Sequence, residues 1–114
     1  MWVCLKNSFL SIVDKECKPG ELLVRARRPG DIEAVFPAAV VKKSTTTDYA
    51  YRAVIKRADV AEAMTAEVMG IRYPNFKNSV RDDALHNAYA AFWNVHARLQ
   101  PTAPYTGRAQ RGML

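Results

Sequence analysis

A chain of 114 residues with 49% hydrophobic and 25% charged side chains has the size of one domain and an ordinary globular composition. It can bury a core without disulfides or metal. No apolar run approaches the roughly 18 residues that a membrane-spanning helix needs. The opening segment has no basic n-region and no small-residue cleavage site, so the expectation is a cytoplasmic protein with Cys4 and Cys17 reduced. The net charge of +6 is unevenly placed. Residues 1–57 hold eleven basic against six acidic side chains, residues 58–99 hold four against five, and the remainder adds Arg108 and Arg111. A field concentrated on the first half draws polyanions or acidic protein surfaces toward it.

In chain order, Trp2–Leu5 and Phe9–Val13 read as two short strands around a Lys6-Asn7-Ser8 turn. Pro19-Gly20 marks a second turn. Glu21–Arg28 then alternates, with Leu22, Val24 and Ala26 on one side and Leu23, Arg25 and Arg27 on the other. That is the pattern of an antiparallel sheet with one wet face. Pro29-Gly30-Asp31 predicts the start of a short helix that Pro37 stops, with Ala38–Lys43 as a strand and Ser44–Asp48 as a loop. From Tyr49 to Lys56 the period is two, with Tyr51, Ala53 and Ile55 facing the core. At Arg57-Ala58-Asp59 the period changes. Val60, Met64, Val68 and Ile71 recur at helical spacing, and Gly70 stands where a left-handed residue commonly ends a helix.

Beyond Pro74, Asn75–Val80 predicts a helical turn. Asp82 is placed to cap a last helix reaching Leu99, with Leu85, Ala88, Tyr89, Phe92, Val95, His96 and Leu99 along one stripe and Trp93 buried beside Tyr89 and Phe92. The expected architecture is a two-layer α+β domain over residues 1–99. An antiparallel sheet of about four strands carries two longer helices on one face, an arrangement close to the ferredoxin-like class, followed by a flexible basic tail at 100–114.

No GxSxG, GxGxxG, P-loop or HExxH pattern occurs, and the two cysteines have no metal-ligand spacing. No cofactor or metal is expected. His86 and His96, ten residues apart, cannot share an ion on one helix. Asp82 and His86, at i and i+4, are the kind of pair that serves as a cap or surface ion pair. A nucleophile made from Cys4 or Cys17 with a histidine is the enzymatic alternative. The leading candidate site is instead a basic sheet face bearing Arg25, Arg27, Arg52 and Lys56, with Tyr49 and Trp2 near its edge. This arrangement implies a non-enzymatic protein that docks on an acidic protein surface or a protein–nucleic-acid assembly. Direct single-stranded nucleic-acid binding is the alternative, with phosphates on the cations and bases on the aromatics. A small inhibitor or accessory protein of a mobile element, of the anti-CRISPR kind, also suits the size. Exposed strand edges, with Trp2 and Tyr105 as anchors, leave a homodimer open. No membrane partner is expected.

Three stretches, Thr47-Asp48-Tyr49-Ala50-Tyr51-Arg52, Tyr73-Pro74-Asn75-Phe76-Lys77 and Tyr89-Ala90-Ala91-Phe92-Trp93, resemble in that order elements of a family of small bacterial proteins of unknown function. Trp2 and the Phe9–Val13 strand are similar too. The resemblance spans most of residues 1–99 and departs at Ala38–Thr46, where the family is longer. It implies the fold and no activity, and it draws attention to Tyr49, Tyr51, Arg52, Asn75 and Lys77.

Overall fold

A computed structural model describes residues 1–101. The expected basic tail lies, beyond Gln100 and Pro101, outside the described residues. The chain divides into two compact units, Met1–Arg72 and Tyr73–Leu114.

The first unit is built on one antiparallel sheet of β1 (Trp2–Cys4), β2 (Phe9–Val13), β3 (Glu21–Ala26), β4 (Lys42–Lys43) and β5 (Tyr51–Lys56), in the order β1-β2-β3-β5-β4. The sheet therefore has five strands rather than about four. The pairing of β3 with β5 is the longest, running from Glu21↔Lys56 to Ala26↔Tyr51. It puts Leu22 against Ile55, Val24 against Ala53 and Ala26 against Tyr51. Because side chains alternate across a sheet, these residues share one face. There Leu10, Ile12, Val24, Ala26 and Ala53 close a core with Ile32, Phe36 and Val60.

α1 (Arg57–Met69) follows β5 without a loop. No side chain caps it; instead the Arg57 N–H donates to the Gly20 carbonyl at 2.8 Å, tying the helix start to the turn before β3. Val60 is buried, and Ala63 and Met64 pack on the core, completing the second layer of the α+β arrangement. The predicted stripe holds only for its first two turns, since Val68 is 64% and Ile71 45% exposed. Gly70 caps the helix with φ −86°, not in the left-handed region expected for it.

Between β3 and β4 the predicted helix is replaced by consecutive turns. Ala34 N–H donates to Gly30 and Phe36 N–H to Ile32, at 3.0 and 2.8 Å. Pro29 and Pro37 bracket too few residues for a helix to propagate past its nucleation cost. Tertiary contacts hold the segment instead. Ile32 and Phe36 enter the core, and the buried Asp31 carboxylate pairs with Arg28 at 3.0 Å and accepts the Phe9 N–H at 3.2 Å. The strand predicted over Ala38–Lys43 shrinks to Lys42–Lys43. All the strands precede the helices, so the βαββαβ alternation of the ferredoxin-like class is not found among the described residues.

The second unit contains α2 (Phe76–Ser79) and α3 (Asp83–His96), continued by a 3₁₀ turn at Ala97–Leu99. Both helices are capped as their sequence requires. Asn75 Oδ1 accepts the Asn78 N–H, and Asp82 Oδ1 accepts the Leu85 N–H, each at 3.0 Å. A run of ring contacts links Tyr73, Phe76, Tyr89 and Phe92, with centroids 5.3–5.9 Å apart. Leu85 and Tyr89 are buried, whereas Trp93, expected inside, is half-buried, and His96, Val95 and Leu99 are exposed. No helix among the described residues is long and apolar enough to cross a membrane.

Removing the Leu10 side chain, which is fully buried, is expected to cost about 2–5 kcal/mol as Leu10→Ala. Val68→Ala on the exposed end of α1 should cost less than about 0.5 kcal/mol. Urea denaturation of the two variants measures both. Asp31→Ala removes the acceptor of the Phe9 N–H and the Arg28 counter-charge together, and the same experiment should show a loss of about 1–3 kcal/mol.

Candidate basic sheet face and cleft

The register that assembles the core also assembles the opposite face. Trp2 pairs with Ser11, Ser11 with Arg25, Arg25 with Arg52, and Arg52 with Lys42. One row therefore crosses all five strands. Two like charges directly opposite one another are unfavourable in a sheet, and the neighbours of Arg25 and Arg52 offset this. Arg25 donates to Ser11 Oγ at 2.7 Å, and its guanidinium lies 4.5 Å from the centroid of the Tyr49 ring. Arg52 donates to Glu16 Oε2 at 3.0 Å. The Nε atoms of both arginines are buried without a hydrogen-bond partner among the described residues.

Arg27 lies just past the end of β3. Its guanidinium rests 4.2 Å from the same Tyr49 centroid and donates to the Asp48 carbonyl at 2.8 Å. The π-system of one ring thus holds two cations at once. Tyr49 is only 5% exposed. It is a support under the arginines, not the edge aromatic that the sequence suggested. Lys56 shares this side of the sheet by alternation but stands at its far end, opposite Glu21 and at the junction with α1. The structure thus brings together Arg25, Arg27, Arg52 and Tyr49, with Lys56 two positions beyond Val54 on the same strand. Trp2, 71% exposed, stands on β1 with its ring edge-on to Phe9 at 6.2 Å.

Beside Arg52 opens a cleft of about 730 Å³, lined by Glu16, Leu23, Val40, Lys42, Lys43, Arg52, Val54 and the hydroxyl-bearing run Ser44–Thr46. Lys42 and Lys43 form the edge strand β4, and the loop after it is held by the Ser44 N–H donating to Ala50 at 2.7 Å. On this side of the sheet the cleft combines two cations, Arg52 and Lys42, with three hydroxyls and one carboxylate around an apolar strip; Lys43 pairs with Tyr51 and its Nζ lies 6.0 Å from that ring's centroid, toward the opposite face. Residue-by-residue reading of the sequence missed Lys42, Lys43 and Glu16. The usable signal was the basic dipeptide running straight into Ser44-Thr45-Thr46. Glu16 was the harder one to find, because it reaches Arg52 from a turn in which it adopts φ 54°. A non-glycine residue in that left-handed region costs about 1–2 kcal/mol.

Cys4 and Cys17 are both free. Desolvation pushes the Cys4 thiol above its ordinary range, and desolvation followed by the Asp14 hydrogen bond and charge does the same for Cys17. The cysteines belong to the first unit; His86, whose Nδ1 lies 3.0 Å from the Lys77 carbonyl, and His96 belong to the second. No three His, Cys, Asp or Glu side chains gather as metal ligands among the described residues. Comparison with protein-family models, with curated proteins and with solved structures finds no significant match.

Thiolate, not thiol, is the reactive form, so a raised pKa lowers the reactive fraction at neutral pH. Both cysteines should therefore react with a disulfide reagent more slowly than free cysteine at neutral pH, and approach its rate only in more alkaline buffer. Stopped-flow thiol titration over a pH series measures this.

Proposed function

We propose that the chain is a non-enzymatic binding protein that docks on an acidic macromolecular partner through the basic face of its sheet. The acidic surface of a protein, alone or within a protein–nucleic-acid assembly, is the preferred partner. The observation that supports this most directly is the in-register pair Arg25 and Arg52, continued by Lys42 at the edge of the same row. Cations in fixed positions on a rigid sheet set the register of an acidic partner and speed its approach. Tyr49 is buried against Arg25 and Arg27, so among the described residues the face offers charge at its centre and an exposed ring at Trp2 alone. Single-stranded nucleic-acid binders pair their cations with a series of open rings, which makes that class the second choice. We take the setting to be the cytoplasm, in keeping with two free thiols.

Fluorescence anisotropy with a labelled oligoglutamate peptide and with single-stranded RNA, over a salt series, tests this reading. Peptide binding should weaken as salt rises and fall at least about tenfold in the Lys42→Glu/Lys43→Glu variant, whose sites are exposed. Peptide binding unaffected by that double change would remove the sheet face as the docking surface.

A further inference from the structure

The ion pair between Arg52 and Glu16 identifies the chemical group that the cleft accepts. Arg52 sits beside a second guanidinium, its side chain is only 17% exposed, and its Nε has no partner among the described residues. A cation in that position requires an anion at its terminal nitrogens. The chain supplies one from its own turn, but Glu16 is 60% exposed and held in left-handed backbone. An exposed ion pair contributes little to stability, so the Glu16 carboxylate can return to water at small cost when an equivalent acceptor replaces it. Next to that position, Lys42, the strand partner of Arg52, adds charge, while Ser44 and Thr46 add hydroxyl donors for the remaining lone pairs.

We propose that Glu16 is an internal stand-in for an acidic side chain of the partner, and that docking displaces it from Arg52. The occupant of the cleft is an acidic protein segment, one of whose Asp or Glu carboxylates takes the Arg52 guanidinium while a neighbour meets Lys42. Two features favour a carboxylate. A carboxylate already fits Arg52 at 3.0 Å, and the apolar strip of Leu23, Val40 and Val54 in the same cleft suits the methylene stems of such a segment. A cleft of about 730 Å³ holds several side chains. This inference rests on the basic-face reading and adds to it a self-occupied site that lowers affinity until the true partner arrives.

The test uses the full chain and a labelled oligoglutamate peptide of about ten residues, with oligouridylate of equal charge as comparator. Glu16→Gln keeps the shape of the side chain and removes the competing charge. It should tighten the peptide by about three- to fivefold. Asp14→Asn removes the same charge from the same turn, where Asp14 pairs with Arg57 at 3.0 Å, and should change affinity by less than about twofold. Adding Lys42→Gln and Lys43→Gln to Glu16→Gln should undo the gain. Equal tightening by Glu16→Gln and Asp14→Asn would reduce the effect to net charge and overturn the proposal. Oligouridylate binding Glu16→Gln more tightly than the peptide does would overturn the carboxylate occupant. No effect of Glu16→Gln on peptide binding that Lys42→Glu/Lys43→Glu still abolishes would remove the stand-in role alone. Loss of all peptide binding in every form of the chain would remove the face reading with it.

Discussion

Everything in the first unit depends on the pairing of β3 with β5. Six consecutive partners, Glu21↔Lys56 through Ala26↔Tyr51, decide which side chains enter the core and which do not. A slip of one residue would carry Val24 and Ala53 out of the core and drive Arg25 and Arg52 into it. Burying two unpaired guanidiniums costs far more than any alternative pairing returns. The apolar and the basic faces are therefore two consequences of one register. The hydrogen bond from Arg57 to Gly20 locks that register at one end by making the first turn of α1 depend on the turn before β3.

Placing two arginines directly opposite one another is a local violation of sheet design, and the surrounding residues show how it is sustained. Ser11 takes one hydrogen bond from Arg25, the Tyr49 ring lies against both Arg25 and Arg27, and Glu16 neutralises Arg52 from an unfavourable backbone conformation. Three separate parts of the chain are engaged to hold charge at a single place. Where a sequence departs from local preference and compensates from several directions, the departure points to function. This is the physical ground on which the proposal of a binding face rests.

Most of the local structure was legible along the chain. The change of period at Arg57 is unambiguous because Tyr51, Ala53 and Ile55 satisfy one repeat and Val60 and Met64 the other. Asn75 and Asp82 announce their helices by cap chemistry alone, which needs only the next three residues. Failures occurred where distant contacts overrode local preference. Residues 30–36 carry a helical pattern, yet between two prolines the segment folds as turns anchored by Asp31 on Phe9 and Arg28 and by Ile32 and Phe36 in the core. Ala38–Val41 carry an apolar pattern, yet only Lys42 and Lys43 find a partner strand.

By itself, the sequence determined the element types outside residues 29–41, the two-sided character of β3 and β5, and the presence of Arg25, Arg27 and Arg52 on the side away from the core. Alternation and helical spacing are properties of neighbouring residues, so they can be read without knowing where the chain goes next. Only the tertiary structure decided that Arg25 stands opposite Arg52, that Tyr49 lies buried beneath two arginines, and that Glu16 reaches Arg52 across a cleft bordered by Lys42 and Lys43. Each of these joins residues separated by turns and loops. Strand register and turn geometry bring such residues together, and no local pattern encodes either.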